Sequence, residues 1–199
     1  MDNGASSYRR FLNGDDEGLA LIIKDYKVGL ILYLNGYVNN IYVAEEIMEE
    51  TFFKLAVKKP KFNAKSSFKT WLYTIGRNVA IDYIRHNSKI LTSSIEDVEN
   101  YLKDETDLES LYIKSERKIT VHKAMSNLKP EYRQVLWLCF FEEFSNEETA
   151  QIMGKSKRQI ENLVYRSKQS LKSLLDKEGF RYEKLWWIKK IIRNTIGKN

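Results

Sequence analysis

Between Lys155 and Lys172, one side of the chain carries Arg158, Gln159, Glu161, Asn162, Tyr165, Arg166 and Gln169 at helical spacing. Guanidinium, amide and hydroxyl groups so placed can bond base edges or phosphate oxygens, and a carboxylate such as Glu161 can accept from a cytosine amino group. Lys155, Lys157, Lys168 and Lys172 surround this face, while Ile160, Leu163, Val164 and Leu171 form the opposite one. A second stripe runs through Trp71, Thr74, Asn78, Asp82 and Arg85 at steps of three and four, with Arg77 beside Thr74. A large flat ring in line with amide and guanidinium groups suits unpaired bases, which need stacking and edge contacts together. Each pattern has a plainer reading: a packed αα-hairpin for the first, and Trp71 in a core beside solvated polar groups for the second. No nucleophile–base pair, metal-ligand spacing or glycine-rich phosphate loop accompanies them. His86 and His122 each stand alone, so neither a metal nor a cofactor is expected, and enzymatic chemistry is the most distant reading.

The polar face needs elements to hold it. Ser145 with Glu148 is a capping box, in which the hydroxyl takes an orphan amide and the carboxylate reaches back. Ser156 with Gln159 is another, and Gly154 between them supplies a turn at positive φ. Ala150 is small enough for a close helix crossing, and Ile160 and Leu163 anchor the second helix. Two short helices around a tight turn fit a helix-turn-helix.

The remaining chain reads as helix throughout. In 199 residues there are two prolines, nine glycines and no alternating apolar runs, which argues for an all-α protein. Apolar residues at 43% suffice for buried cores, and a net charge of +6 permits nucleic-acid binding. Cys139 is the single cysteine and lies in the apolar run Val135 to Phe141, which excludes an intrachain disulfide and predicts a buried thiol. No leader pattern and no run of about 20 apolar residues occurs, so a cytoplasmic protein is expected.

Two helices are predicted from Tyr8 to Asn40, the second starting after Gly14 at Asp15-Asp16-Glu17. Another follows over 44–57, with an apolar stripe opposed by Glu45, Glu46, Glu49 and Glu50. Those carboxylates are either a solvated face or a surface for a basic protein partner. After Pro60 comes a polar loop with Phe62, Asn63, Lys65 and Ser67, then a long helix over 68–85. The acidic stretch 90–115 reads as a flexible linker, making 1–89 one helical domain and 116–178 a second. Residues 179–199 form a basic amphipathic extension that docks on the second domain, on a partner or on a membrane surface.

In this arrangement AEEIMEETFFKL at 44–55, SFKTWLYTIGRNVAIDYIRHNSK at 67–89 and the helix-turn-helix block at 128–175 together resemble an extracytoplasmic-function (ECF) sigma factor of bacterial RNA polymerase. The resemblance spans roughly 8–175. It implies a region 2-like bundle and a region 4-like helix-turn-helix domain. Glu45, Glu46, Glu49 and Glu50 would grip core RNA polymerase. Phe62, Asn63, Lys65, Ser67, Trp71, Thr74, Arg77, Asn78, Asp82 and Arg85 would melt and hold the promoter −10 element. Lys157, Arg158, Gln159, Glu161, Asn162, Tyr165 and Arg166 would read the −35 element as duplex. It further implies an anti-sigma factor partner, no small-molecule substrate, a monomer when free, and a place on the nucleoid once bound to polymerase. Val43 stands where many relatives have aspartate, and Glu161 and Leu163 where basic residues are frequent, so the −35 sequence is not transferable. The competing class is a stand-alone helix-turn-helix regulator whose first domain senses or dimerises; it has no need of the Trp71 stripe or the acidic helix.

Overall fold

A computed structural model describes residues 3–87 and 125–177. Among them the long elements are all helical: α1 (Asn3–Leu12), α2 (Glu17–Val38), α3 (Ile41–Phe53), α4 (Phe68–His86), α5 (Pro130–Phe140), α6 (Asn146–Met153) and α7 (Lys157–Lys177). The predicted linker 90–115, His122 and the 179–199 extension lie outside the described residues.

α2 is the axle of the fold. Its stretch from Gly29 to Gly36 is buried on every side, because α1, α3, α4 and α5 all pack against it. Gly29 and Gly36 lie two turns apart on one face, where bare backbone lets α5 and the turn beyond it come close. A Cβ at Gly29 would sit 2.6 Å from the Tyr73 hydroxyl and 2.8 Å from a Glu142 carboxylate oxygen. Gln134 donates to the Gly36 carbonyl at 3.4 Å, and Arg133 donates to Asn39 Oδ1 at 3.3 Å and to the Ser126 carbonyl at 2.6 Å.

Local signals account for the boundaries. Gly14 (φ +93°) turns the chain before α2. α3 starts three residues before the predicted 44, because Asn40 Oδ1 accepts from the amides of Tyr42 and Val43 at 3.1 Å each. It continues as one π-helical turn over Lys54–Lys58, halted at Lys59 with positive φ, just before Pro60. Ser67 caps α4 by accepting from the Thr70 amide at 3.2 Å. Pro130 opens α5 at the position where its missing N–H costs nothing.

The predicted apolar stripe of α3 faces inward, with Ala44, Ile47, Met48, Phe52 and Leu55 buried, and on α4 Phe68, Leu72 and Val79 are buried against it. Tyr8 on α1 is buried against Phe68 and donates to the Pro60 carbonyl at 2.8 Å; burial pushes its pKa up to about 12. Cys139 is only half-buried and not enclosed as predicted. Its thiol pKa is raised, first by burial, with partial offset from the Thr149 hydroxyl bond and the Lys168 charge.

Candidate nucleic-acid interface

The two capping boxes form as their spacing requires. Ser145 Oγ accepts from the Glu148 amide at 3.2 Å, and Glu148 Oε2 accepts from the Ser145 amide at 3.0 Å. Ser156 Oγ accepts from the Gln159 amide at 3.2 Å, and Gln159 Oε1 accepts from the Ser156 amide at 2.7 Å. Gly154 sits at φ 63°, ψ 38° and donates its N–H back to α6. These caps set α7 across α6 with Ala150, Ile152, Met153, Ile160 and Leu171 buried, and Leu163 and Val164 half-buried.

The outer side of α7 is open. Lys157, Arg158, Gln159, Glu161, Asn162, Tyr165 and Arg166 are all exposed, Tyr165 by 59%. Lys157 pairs with Glu147 on α6, which raises the lysine's pKa and lowers the carboxylate's. Gln159 has a divided role, since its carbonyl oxygen is spent on the cap and its amide nitrogen remains to reach outward. Lys168 is different from its sequence reading: it is buried over the Phe140 ring at 4.8 Å, and burial lowers its pKa.

The α4 stripe is less open than the α7 face. Trp71 is half-buried in an aromatic cluster, its ring centroid 5.3 Å from Tyr8, 5.2 Å from Phe62 and 5.4 Å from Phe68. The ring is thus partly packed and partly exposed. Phe62 is half-buried; Asn63 and Lys65 are exposed on the loop, where Asn63 Oδ1 accepts from the Lys65 amide at 3.1 Å. Thr74 Oγ1 donates to the Thr70 carbonyl at 2.8 Å. Arg77 donates to Asn78 Oδ1 at 3.3 Å, and Arg85 pairs with Asp82.

On α3, Glu46, Glu49 and Glu50 are exposed and Glu45 half-exposed; Glu46 accepts from the Tyr83 hydroxyl at 3.3 Å and Glu50 faces Lys54 at 3.6 Å. Sequence reasoning missed the apolar residues beside them: Tyr42, Phe53 and Val57 are 51%, 57% and 62% exposed. Their signal was present, as Phe53 and Val57 fall off the inward stripe while remaining large and apolar. It also missed that Lys69, Glu142 and Glu148 tie α4 to the helix-turn-helix half: Lys69 Nζ meets Glu142 Oε2 at 2.9 Å, and Glu148 Oε1 accepts from Thr70 Oγ1 at 3.0 Å.

A capped helix-turn-helix with an open polar-basic face, joined to a helical bundle bearing an acidic helix and an aromatic-polar stripe, defines a DNA-reading protein with a second, separate contact apparatus. Sigma-70 region 2 matches residues 22–90, and Sigma-70 region 4 matches residues 118–171. The chain belongs to the sigma-70 family, among its ECF sigma factors. Similar proteins include the RNA polymerase sigma factor YlaC of Bacillus subtilis, 27% identical over 78% of this chain and 91% of that one. The ECF RNA polymerase sigma factor SigM of the same organism is 25% identical over 78% and 94%. Among solved structures, CnrH in complex with the cytosolic domain of CnrY has the same fold, with a TM-score of 0.60 at 18% identity over 87% of this chain and 95% of that one. The sigma factor RpoE of Bartonella quintana, in complex with the anti-sigma factor NepR, has a TM-score of 0.53 at 21% identity over 77% and 95%. A stand-alone regulator would not carry the region 2 half. Among the described residues, no helix is long and apolar enough to cross a membrane.

Proposed function

We propose that this sigma factor docks on core RNA polymerase through Glu45, Glu46, Glu49 and Glu50 of α3, reads a −35 element with α7 and opens a −10 element with α4 and the loop before it. The observation carrying this reading is the capped, outward-facing polar side of α7 on a chain that also carries the region 2 match. Arg158, Asn162 and Arg166 are the donors best placed for base edges, with Glu161 as an acceptor for cytosine. Lys157 and Tyr165 suit the backbone. Melting costs a few kcal/mol per unstacked step, offset by stacking on Trp71 and edge contacts from Asn78 and Arg85. The protein contributes binding and orientation, and polymerase supplies the covalent chemistry. It works in the cytoplasm, on the nucleoid when bound to polymerase, and is a monomer when free. An anti-sigma factor would inhibit it, as the complexes of CnrH and RpoE suggest for a chain of this fold.

The test is run-off transcription: purified protein, core polymerase and a library of promoter fragments. Specific transcripts that need both proteins are expected. Tight duplex binding by the protein alone, with no initiation by core enzyme, would sink the reading.

A further inference from the structure

The outward side of α3 mixes acidic and apolar groups. Tyr42, Glu46, Glu49 and Phe53 follow at steps of four, three and four, which puts them on one line along the helix. Val57 prolongs that line on the π turn over Lys54–Lys58. Tyr42, Phe53 and Val57 are each more than half exposed. Single exposed apolar side chains are ordinary, but three on one line rimmed by carboxylates form a face that gains from being covered. Glu45 and Glu50 flank the line, and the cations beside it are Lys54, which faces Glu50 at 3.6 Å, and Lys58 at its end. From Tyr42 to Phe53 the face runs about 16 Å at 1.5 Å per residue.

The same chain carries a segment of matching length and opposite charge. Residues 179–199 hold Arg181, Lys184, Lys189, Lys190, Arg193 and Lys198 against a single acidic side chain, Glu183. At helical spacing Leu185, Ile188, Ile192 and Ile196 fall on one side with Trp187 and Ile191 adjoining, while Lys189, Lys190 and Arg193 fall on the other. As a helix, Leu185 to Ile196 also measures about 16 Å. The segment leaves α7 after Lys177, and the stretch from there to Leu185 reaches about 26 Å when extended. A compact body of this size has a radius of gyration of about 14 Å, so that reach exceeds its radius. The helix-turn-helix half offers no comparable face: among its described residues Tyr165 is the large apolar side chain left exposed, and it stands among cations. Ile81 and Ile84 on α4 are exposed too, but without a row of carboxylates.

We propose that the basic amphipathic segment 185–196 docks on this α3 face of its own chain, its apolar side on Tyr42, Phe53 and Val57 and its cations against Glu45, Glu46, Glu49 and Glu50. Lysine and arginine stems can lie along the apolar line while their charged ends turn out to the carboxylates. Those four carboxylates also form the proposed polymerase surface, so the docked segment competes with polymerase for α3. The competition rests on the sigma-factor reading above; the docking does not.

The test first leaves the sequence of the segment unchanged. In the free 199-residue chain, tryptic cleavage after Lys189, Lys190 and Arg193 is timed by mass spectrometry and compared with that in Phe53→Ser/Val57→Ser. Both positions are exposed, so circular dichroism should show the variant folded. Cleavage follows the undocked fraction, so the parent should be cut about tenfold more slowly than the variant, at a rate independent of chain concentration. Equal rates overturn the docking. Protection that grows with chain concentration assigns the segment to a second copy, and protection that needs phosphatidylglycerol vesicles assigns it to a membrane surface; either overturns the docking as well. A second arm alters the segment: Trp187→Ser/Ile191→Ser should tighten core polymerase binding by the same factor, about tenfold, because only the undocked fraction binds. Unchanged affinity, with polymerase binding the parent, overturns the competition. If polymerase captures neither form, the sigma-factor reading falls, and the cleavage rates alone uphold or overturn the docking.

Discussion

Replacing Gly154 with alanine tests how the helix-turn-helix is held. Gly154 adopts φ 63° between α6 and α7, donating its N–H to carbonyls of the last turn of α6. A side chain in that region costs about 1–2 kcal/mol. For a chain of this size each kcal/mol moves Tm by about 2–4 °C, so Gly154→Ala should lower Tm by about 2–8 °C. The new Cβ would meet the end of the Arg77 side chain at 3.3 Å, a flexible group that can move aside, so the backbone term dominates. Gly154→Asn serves as the internal reference. Asparagine tolerates this conformation, as Asn39 does at φ 50° where it closes α2, so its loss should be clearly smaller. Thermal unfolding followed by circular dichroism reads both variants. An alanine variant as stable as the parent, or an asparagine variant that loses as much as alanine, would refute the reasoning from backbone conformation.

Three further outcomes are expected from the same geometry. Trp71→Ala should impair promoter opening more than closed-complex formation, whereas Trp71→Phe, which keeps the ring contacts with Tyr8, Phe62 and Phe68, should retain the parent Tm; equal loss at both steps would place Trp71 in the packing alone. Reversing Glu45 and Glu46 to lysine should weaken core polymerase binding by about tenfold, or about 1.4 kcal/mol, with the helical spectrum unchanged; unaltered affinity removes the assignment of this surface. Cys139 should react with iodoacetamide more slowly than a free thiol at pH 8, because burial raises its pKa and lowers the thiolate fraction, and unfolding in urea should abolish the difference.

The parts of the fold that depend on near neighbours in sequence were legible there. Ser145–Glu148 and Ser156–Gln159 are three apart, so their caps and the turn at Gly154 could be read directly and appear as read. The inward stripe of α3 was equally visible in its period. Asn40 was the missed local signal: its cap moves the start of α3 back to Ile41. What sequence could not show was which surfaces meet across long separations. Glu148 and Thr70 are 78 residues apart, and neither has a pattern that names the other. A polar helix face reads identically whether it meets water, DNA or the other half of the molecule, which is why the covering of α4 was missed. The same ambiguity affected Lys168, which reads as part of a basic rim and folds instead onto Phe140.

The central claim is that this chain lets core polymerase open a promoter. It is tested most directly by permanganate reactivity of unpaired thymines across the −10 element of a promoter that the run-off library selects. The account predicts reactivity with core polymerase and this chain together, none with either alone, and a marked loss with Trp71→Ala. Reactivity produced by core polymerase without the chain, or none with both present, would contradict it.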